Sequence, residues 1–360
     1  MSSTDTSPTQ LALLLPAVGA PFELGRIPAP TPSSLGPGEA LIKNFAAGLN
    51  PADHKSQSKG FIAVREWPAV IGYEGAGTVE AVGEGVTRVK VGDRVAYMGV
   101  MENKGRTFQQ WIVSEAEWLF QIPDNMDFET AASVPAALTA ALLGVYQPSP
   151  HGLGVSAPWR SDFDSEINAG KPFVVLGGAS QIGQWAIQFA HNASFSPIIT
   201  TASLHNSGVL RGIGATHVLD RSLSAERVVE AVETITGKKE GVTYVFDAVA
   251  FPETQRAGLT LLAKGGKMVV TTSPVVQPEE GSGKEVIFVR GAFQFNPIHE
   301  EFGREFLSFW PGLVERGELK PNPVEVLPGG LNAIADGLER LKTISGKKLV
   351  VKPWETEATI

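Results

Sequence analysis

The 360-residue sequence predicts an α/β protein in which a doubly wound parallel sheet accompanies a smaller β barrel. Three observations carry this. The apolar run Phe173-Val174-Val175-Leu176 has the texture of a strand buried on both faces, and it breaks into a small-residue turn and then a helical pattern. Strand and helix signals alternate from there to Thr271. Between Leu11 and about residue 120 the text instead reads as short strands cut by Gly/Pro turns.

Taken in order, residues 1–10 are Ser/Thr-rich and expected to be flexible. The barrel texture follows, densest from Gly72 to Val95, where Thr78–Val82 and Arg94–Tyr97 alternate and Gly83, Gly85 and Gly92 supply turns. Residues 128–146 are Ala/Leu-rich and helical apart from Pro135, and 147–171 form a long Pro/Gly-containing loop of the kind that lines or covers a site. The βα units then pair strand 173–176 with helix 183–193, 197–201 with 206–213, 217–220 with 224–236, and 242–247 with 253–263 before strand 267–271. Helix 300–316 precedes a tail that returns to strand-like text from Lys320 and ends at Lys347–Lys352. The expected division is 11–140 with 320–360 for the barrel and 141–319 for the parallel sheet.

Composition narrows the function. At 43% apolar and 19% charged residues the chain can bury full cores. A net charge of −8 without a Lys/Arg cluster argues against nucleic-acid binding. No cysteine is present, which removes disulfides and thiolate metal sites and suits a reducing, cytoplasmic setting. The Leu11–Leu15 run is too short for a membrane span and has no preceding basic residue, so it does not read as a signal peptide. The sequon Asn192-Ala193-Ser194 falls on a predicted helix and is discounted.

The turn Gly177-Gly178-Ala179-Ser180-Gln181-Ile182-Gly183 is the main chemical signal. A strand, a tight turn and a helix start present backbone N–H groups and a helix dipole to an anion, as a dinucleotide pyrophosphate requires. The common G-x-G-x-x-G pattern ending at Gly183 would place glycine at 180, where this chain has Ser. About 20 residues on, where an acid would read a free ribose 2′-OH, the second strand ends Thr200-Thr201-Ala202-Ser203. Hydroxyls at Thr201 and Ser203 with a cation from Arg221 or Arg211 suit a 2′-phosphate instead, and so NADPH.

With these pieces assembled, residues 11–353 resemble the medium-chain dehydrogenase/reductase superfamily. The resemblance rests on Asn50-Pro51-Ala52-Asp53-His54-Lys55, on Gly72-Tyr73-Glu74-Gly75-Ala76-Gly77 with Gly92-Asp93-Arg94-Val95, and on the Gly177–Gly183 turn. It continues in Gly214-Ala215, Gly265-Gly266-Lys267, Gly329-Gly330-Leu331 and Gly346-Lys347-Lys348-Leu349-Val350. The first and last of these blocks look most like a zinc-free fungal branch containing toxin-cluster oxidoreductases and stand-alone, trans-acting enoyl reductases that serve polyketide synthases. The resemblance implies a GroES-like barrel, split in sequence, around a Rossmann domain.

It also implies roles. Zinc-dependent relatives place ligands where this chain has Asn50, Tyr73 and the stretch near Ala136, and the six histidines (54, 151, 191, 205, 217, 299) lack metal-ligand spacing. No metal is therefore expected. Without a Lewis acid, the suited chemistry is hydride addition to an activated C=C (an enoyl, enone or enal acceptor) or to a quinone. A non-catalytic NADPH-binding protein is the alternative of another class. Lys55 is the first catalytic candidate; Asn50, Tyr73 and Thr139 accompany it, while Asp53 and Glu74 read as structural. Cofactor contacts are expected at Asn50, Lys55, Gly177, Gly178, Ala179, Ser180, Gln181, Ile182, Thr201, Ser203, Arg221, Asp247, Val249, Thr272, Leu349 and Val350. The expected partners are a small unsaturated substrate and a polyketide synthase or its carrier protein, with no nucleic acid and no membrane. The chain is expected to be a monomer or a homodimer, the latter joined through an edge strand near Glu285–Val289.

Overall fold

The computed structural model describes residues 8–60, 64 and 66–358. The stretch 1–7, most of the expected flexible terminus, lies outside the described residues, and Thr9 and Gln10 open a strand. The chain divides into two units, one of residues 1–136, 301–317 and 321–360, the other of 137–300 and 318–320.

The first unit begins with β1 (Thr9–Leu15), β2 (Glu23–Pro28), β3 (Glu39–Gly48), helix α1 (Pro51–Lys59), β4 (Ala69–Val70), β5 (Glu74–Val82), β6 (Arg94–Met98), β7 (Trp111–Glu115) and β8 (Phe120–Gln121). β1 is the middle of a three-stranded sheet, and β3 pairs antiparallel with both β5 and β7. The inward residues of β3, β5 and β6, among them Ile42, Val79 and Val95, form a closed apolar core. The helical signal over 128–146 divides at Pro135, into α2 (Phe128–Ala131) and α3 (Pro135–Tyr146). Proline is tolerated at a helix start because the missing N–H had no partner there.

The second unit carries β9 (Phe173–Leu176), α4 (Gln181–Asn192), β10 (Ile198–Ala202), α5 (Ser207–Gly212), β11 (His217–Asp220), α6 (Ala225–Thr236), β12 (Val242–Asp247), α7 (Pro252–Leu261), β13 (Leu262–Val270) and β14 (Glu285–Phe288). All pairs in this sheet are parallel, in the order β11-β10-β9-β12-β13-β14. Strand order reverses between β9 and β12, where ligands bind such sheets at the carboxyl ends. Phe173 to Leu176 are all buried, as the uninterrupted apolar run requires.

Helix α8 (Pro297–Glu315) follows, then β15 (Val324–Leu327), α9 (Ile334–Arg340) and β16 (Lys348–Val351). The last strand pairs parallel with β15 and antiparallel with β3, so the tail completes the sheet begun near the N-terminus. The expected boundaries placed 301–317 with the parallel sheet; the structure groups them with the barrel unit. The cause is packing. Trp310 donates its indole N–H to the Gln121 carbonyl at 3.1 Å, and its ring meets Phe120 edge-on at 5.8 Å. Among the described residues no helix is long and apolar enough to cross a membrane.

Candidate functional site

In the parallel-sheet unit the glycine turn is shaped by its own neighbours. Gly177 has φ +81°, and a Cβ there would lie 2.5 Å from Val249. A Cβ on Gly178 would come within 2.0 Å of the Thr200 hydroxyl, and one on Gly183 within 2.4 Å of the Gly177 carbonyl. These are distances no side chain tolerates, so the turn must be built of small residues. Position 180 differs for a local reason. Ser180 is the N-cap of α4, and its Oγ accepts the Gly183 N–H at 3.0 Å. A glycine there would lose the cap. By helix geometry the first-turn N–H groups of an α-helix have no intrahelical acceptor. An anion at this end meets those donors and the positive end of the helix dipole, so the turn fits a pyrophosphate.

Thr201 sits behind the turn. It is buried, its Oγ1 accepts the Gly177 N–H at 3.0 Å, and its carbonyl accepts the Gly178 N–H at 3.0 Å. It therefore holds the turn in shape. Ser203 and Arg221 remain at the open end. The register pairs Ala202 with Asp220, and the Arg221 N–H bonds the Ala202 carbonyl at 3.0 Å, so the two residues leave adjacent strand ends together. Arg221 is exposed and Ser203 half-buried. At the neighbouring strand end, Asp220 Oδ1 accepts the Ser222 N–H and hydroxyl at 2.9 and 2.8 Å, which hold its pKa below the usual range.

Across the switch point, Asp247 ends β12 fully buried. Its oxygens accept from the Ala250 N–H at 2.8 Å and the Thr254 hydroxyl at 2.7 Å, yet burial outweighs these bonds and raises its pKa to about 6. The loop it organises puts Ala250 at φ +50°, and the Ala250 carbonyl accepts from Thr272 Oγ1 at 3.1 Å. Val249 thereby lies against Gly177, and Thr272 is tied to the loop through the Ala250 carbonyl. On α3, Thr139 is fully buried, and its hydroxyl finds no hydrogen-bond partner among the described residues. Such an orphan is costly unless something else meets it.

In the barrel unit the Asn50–Lys55, Gly72–Gly77 and Gly346–Val350 blocks converge on a buried polar cluster. Asn50 caps α1 through its backbone: its N–H donates to Asp53 Oδ2 at 2.7 Å. Its side-chain amide turns away from the helix, donating to Glu74 Oε1 at 3.0 Å and accepting from Lys348 Nζ at 2.6 Å. Glu74 and Lys348 form an ion pair at 0% and 2% side-chain exposure. Asp53 is buried, its Oδ1 has no partner among the described residues, and burial raises its pKa to about 8. Tyr73 is buried, exchanges a 2.9 Å hydrogen bond with Ser56, and lies 4.9 Å beneath the Arg106 guanidinium. Burial raises its phenol pKa, so it stays a neutral donor. Lys55 projects from α1 exposed. Leu349 and Val350 are fully buried in β16, and the Leu349 carbonyl is taken by the Leu49 N–H at 2.9 Å.

Sequence reading singled out Asn50, Tyr73 and Lys55 in this cluster but not Lys348, Arg106 or Ser56. Ser56 is one turn beyond Asp53 on α1, a spacing that could have flagged it. Lys348 stands 298 residues from Asn50, and no local signal joins them.

Residues 36–124 match the family described as the alcohol dehydrogenase GroES-like domain, and residues 182–294 the family described as zinc-binding dehydrogenase. The chain is 31% identical over 359 residues to dehydrogenase orsE of Emericella nidulans, covering 96% of this chain and 99% of that protein. It is 29% identical to trans-enoyl reductase caaB of Aspergillus niger, over 89% of this chain and 92% of that one. Its fold is similar to that of the CurK enoyl reductase, with a TM-score of 0.75 at 22% identity, over 95% of this chain and 99% of that chain.

The second family description names zinc, and the residues here do not fit that ion. The aligned positions offer an amide, a phenol and the Ala136 backbone, and the nearest carboxylate, Glu74, already holds the Lys348 ammonium. Among the described residues no three His, Cys, Asp or Glu side chains converge.

Proposed function

The chain belongs to the medium-chain dehydrogenase/reductase superfamily, and on that premise we propose that it is an NADPH-dependent reductase of electron-poor carbon–carbon double bonds, acting on an enoyl, enone or enal substrate. The observation that carries the cofactor assignment is the pairing of Ser203 with exposed Arg221 beyond adjacent strand ends, with no acid at the end of β10. A guanidinium and a hydroxyl there suit a 2′-phosphate, which a carboxylate would repel. The Ser180-capped turn takes the pyrophosphate.

NADPH, when bound, supplies the hydride. The chain's own residues then have three tasks. The turn and the pinned Asp247–Ala250 loop orient the nicotinamide end from the switch point. Thr139, whose buried hydroxyl has no partner among the described residues, donates to the substrate carbonyl as charge moves onto that oxygen. Lys55 orients the nicotinamide ribose or adds positive charge near the forming enolate. The relatives named dehydrogenase and trans-enoyl reductase support the double-bond reading, and with it a polyketide synthase or carrier protein as the donor of the substrate.

The test is NADPH oxidation at 340 nm against an enone, an enal, a crotonyl thioester, a 1,4-quinone and an aldehyde, each with and without a chelator. Turnover of the conjugated alkenes, insensitive to chelator and weak with NADH, is the expected result. Turnover of the quinone alone would assign a quinone reductase, and binding without turnover a non-catalytic NADPH-binding protein.

A further inference from the structure

Segments far apart in the barrel unit meet on one carboxylate. Glu74 Oε1 accepts from Asn50 Nδ2 at 3.0 Å and pairs with Lys348, and Oε2 accepts the Ala136 N–H at 2.9 Å. Lys348 closes the ring by donating to Asn50 Oδ1 at 2.6 Å. The packing leaves no slack: a Cβ on Gly48 would lie 3.0 Å from Lys348 Cε, 3.1 Å from Glu74 Cγ and 2.5 Å from the Ala132 carbonyl. Positions 50, 73–74 and 136 are the three segments on which zinc-dependent relatives carry their ligands, and here an ammonium and a carboxylate join them instead.

We propose that Lys348 is a positioning residue that supplies the cation tying these segments, and that through Asn50 it fixes the start of α1 and hence the placement of Lys55. The orientation of the Asn50 amide is dictated by charge. Its oxygen faces the ammonium and its NH2 the carboxylate. The Asn50 N–H in turn donates to Asp53 Oδ2, one arm of the capping box that starts α1. The first turn of α1 therefore hangs from the ion pair. A sealed pair of this kind adds little net stability over an apolar replacement, but it does impose one geometry on the groups bonded to it.

The catalytic consequence rests on the reductase reading; the structural consequence does not. The experiment uses the full chain and a double variant, Glu74→Gln with Lys348→Met, which removes both charges and strands neither. Asn50→Ala is the second variant, cutting the link from pair to helix along with the Asn50 bond to the Gly48 carbonyl, and Lys348→Arg is the charge-retaining control. Amide hydrogen exchange is read over residues 48–60 and, as an internal reference, 173–190. In the double variant and in Asn50→Ala, exchange over 48–60 is expected to accelerate about tenfold or more while 173–190 is unchanged. With whichever acceptor the wild type reduces, kcat is expected to fall about tenfold while KM for NADPH stays within about twofold, and Lys348→Arg is expected to recover most of that loss. Unchanged exchange over 48–60 in folded Asn50→Ala would overturn the proposal, as would wild-type kcat in the folded double variant. If the wild type reduces no acceptor, the reductase reading fails and the exchange result alone decides the positioning role.

Discussion

Ser180 Oγ accepts the backbone N–H of Gly183 at 3.0 Å, and this one bond accounts for the departure of the turn from the all-glycine pattern. The hydroxyl satisfies a donor of the first turn of α4, at the helix end whose dipole favours an anion. Ser180→Gly is expected to cost no more than about 1 kcal/mol of stability and Ser180→Ala about 1 kcal/mol. Calorimetric melting of the two variants beside the wild type checks this. If the hydroxyl acts only as the cap, KM for NADPH should move by less than about threefold in Ser180→Gly. A large rise would mean that the hydroxyl itself binds phosphate.

Arg221 is expected to read the 2′-phosphate. Arg221→Ala should raise the apparent KM for NADPH about tenfold or more, the loss expected of a charge-assisted hydrogen bond, and leave NADH use nearly unchanged. Steady-state titration of both cofactors makes the comparison. Equal losses for the two would place Arg221 outside the cofactor site.

Asp53 makes stability depend on pH. Its folded pKa is raised from 3.8 to about 8, so between those values the folded protein keeps a proton that the unfolded chain has released. The contribution is fully present at the acid end and is lost as pH rises through about 8, at up to ~1.4 kcal/mol per pH unit. Asn50 donates to Oδ2, and an amide oxygen can accept that bond, so Asp53→Asn mimics the protonated acid. Denaturant unfolding at a series of pH values should give a wild-type minus variant difference that falls from acid to alkaline pH. A flat difference would show that Asp53 is ionised in the folded state.

Lys55 is exposed on α1 and is the residue proposed to act in the transition state. Lys55→Ala should lower kcat about tenfold or more while leaving NADPH affinity, measured by fluorescence titration, within about twofold. A proportional rise in KM with unchanged kcat would make it a binding residue only.

Much of the architecture is written locally. The buried strand Phe173–Leu176, the tight turn after it and the Ser180 cap depend on residues within a few positions of one another, so periodicity and turn chemistry expose them. The absence of an acid at the end of β10 and the lack of thiolate donors are likewise plain in the text. What the tertiary structure decided are the relationships between distant segments. It assigned Thr201 to the Gly177 N–H, 24 residues away, and it joined α8 to the barrel unit through Trp310 and Gln121. It also brought Lys348 to Asn50 across 298 positions of sequence. A buried charge must find its counter-charge wherever folding delivers one, and neither hydrophobic period nor turn propensity records which residue that is.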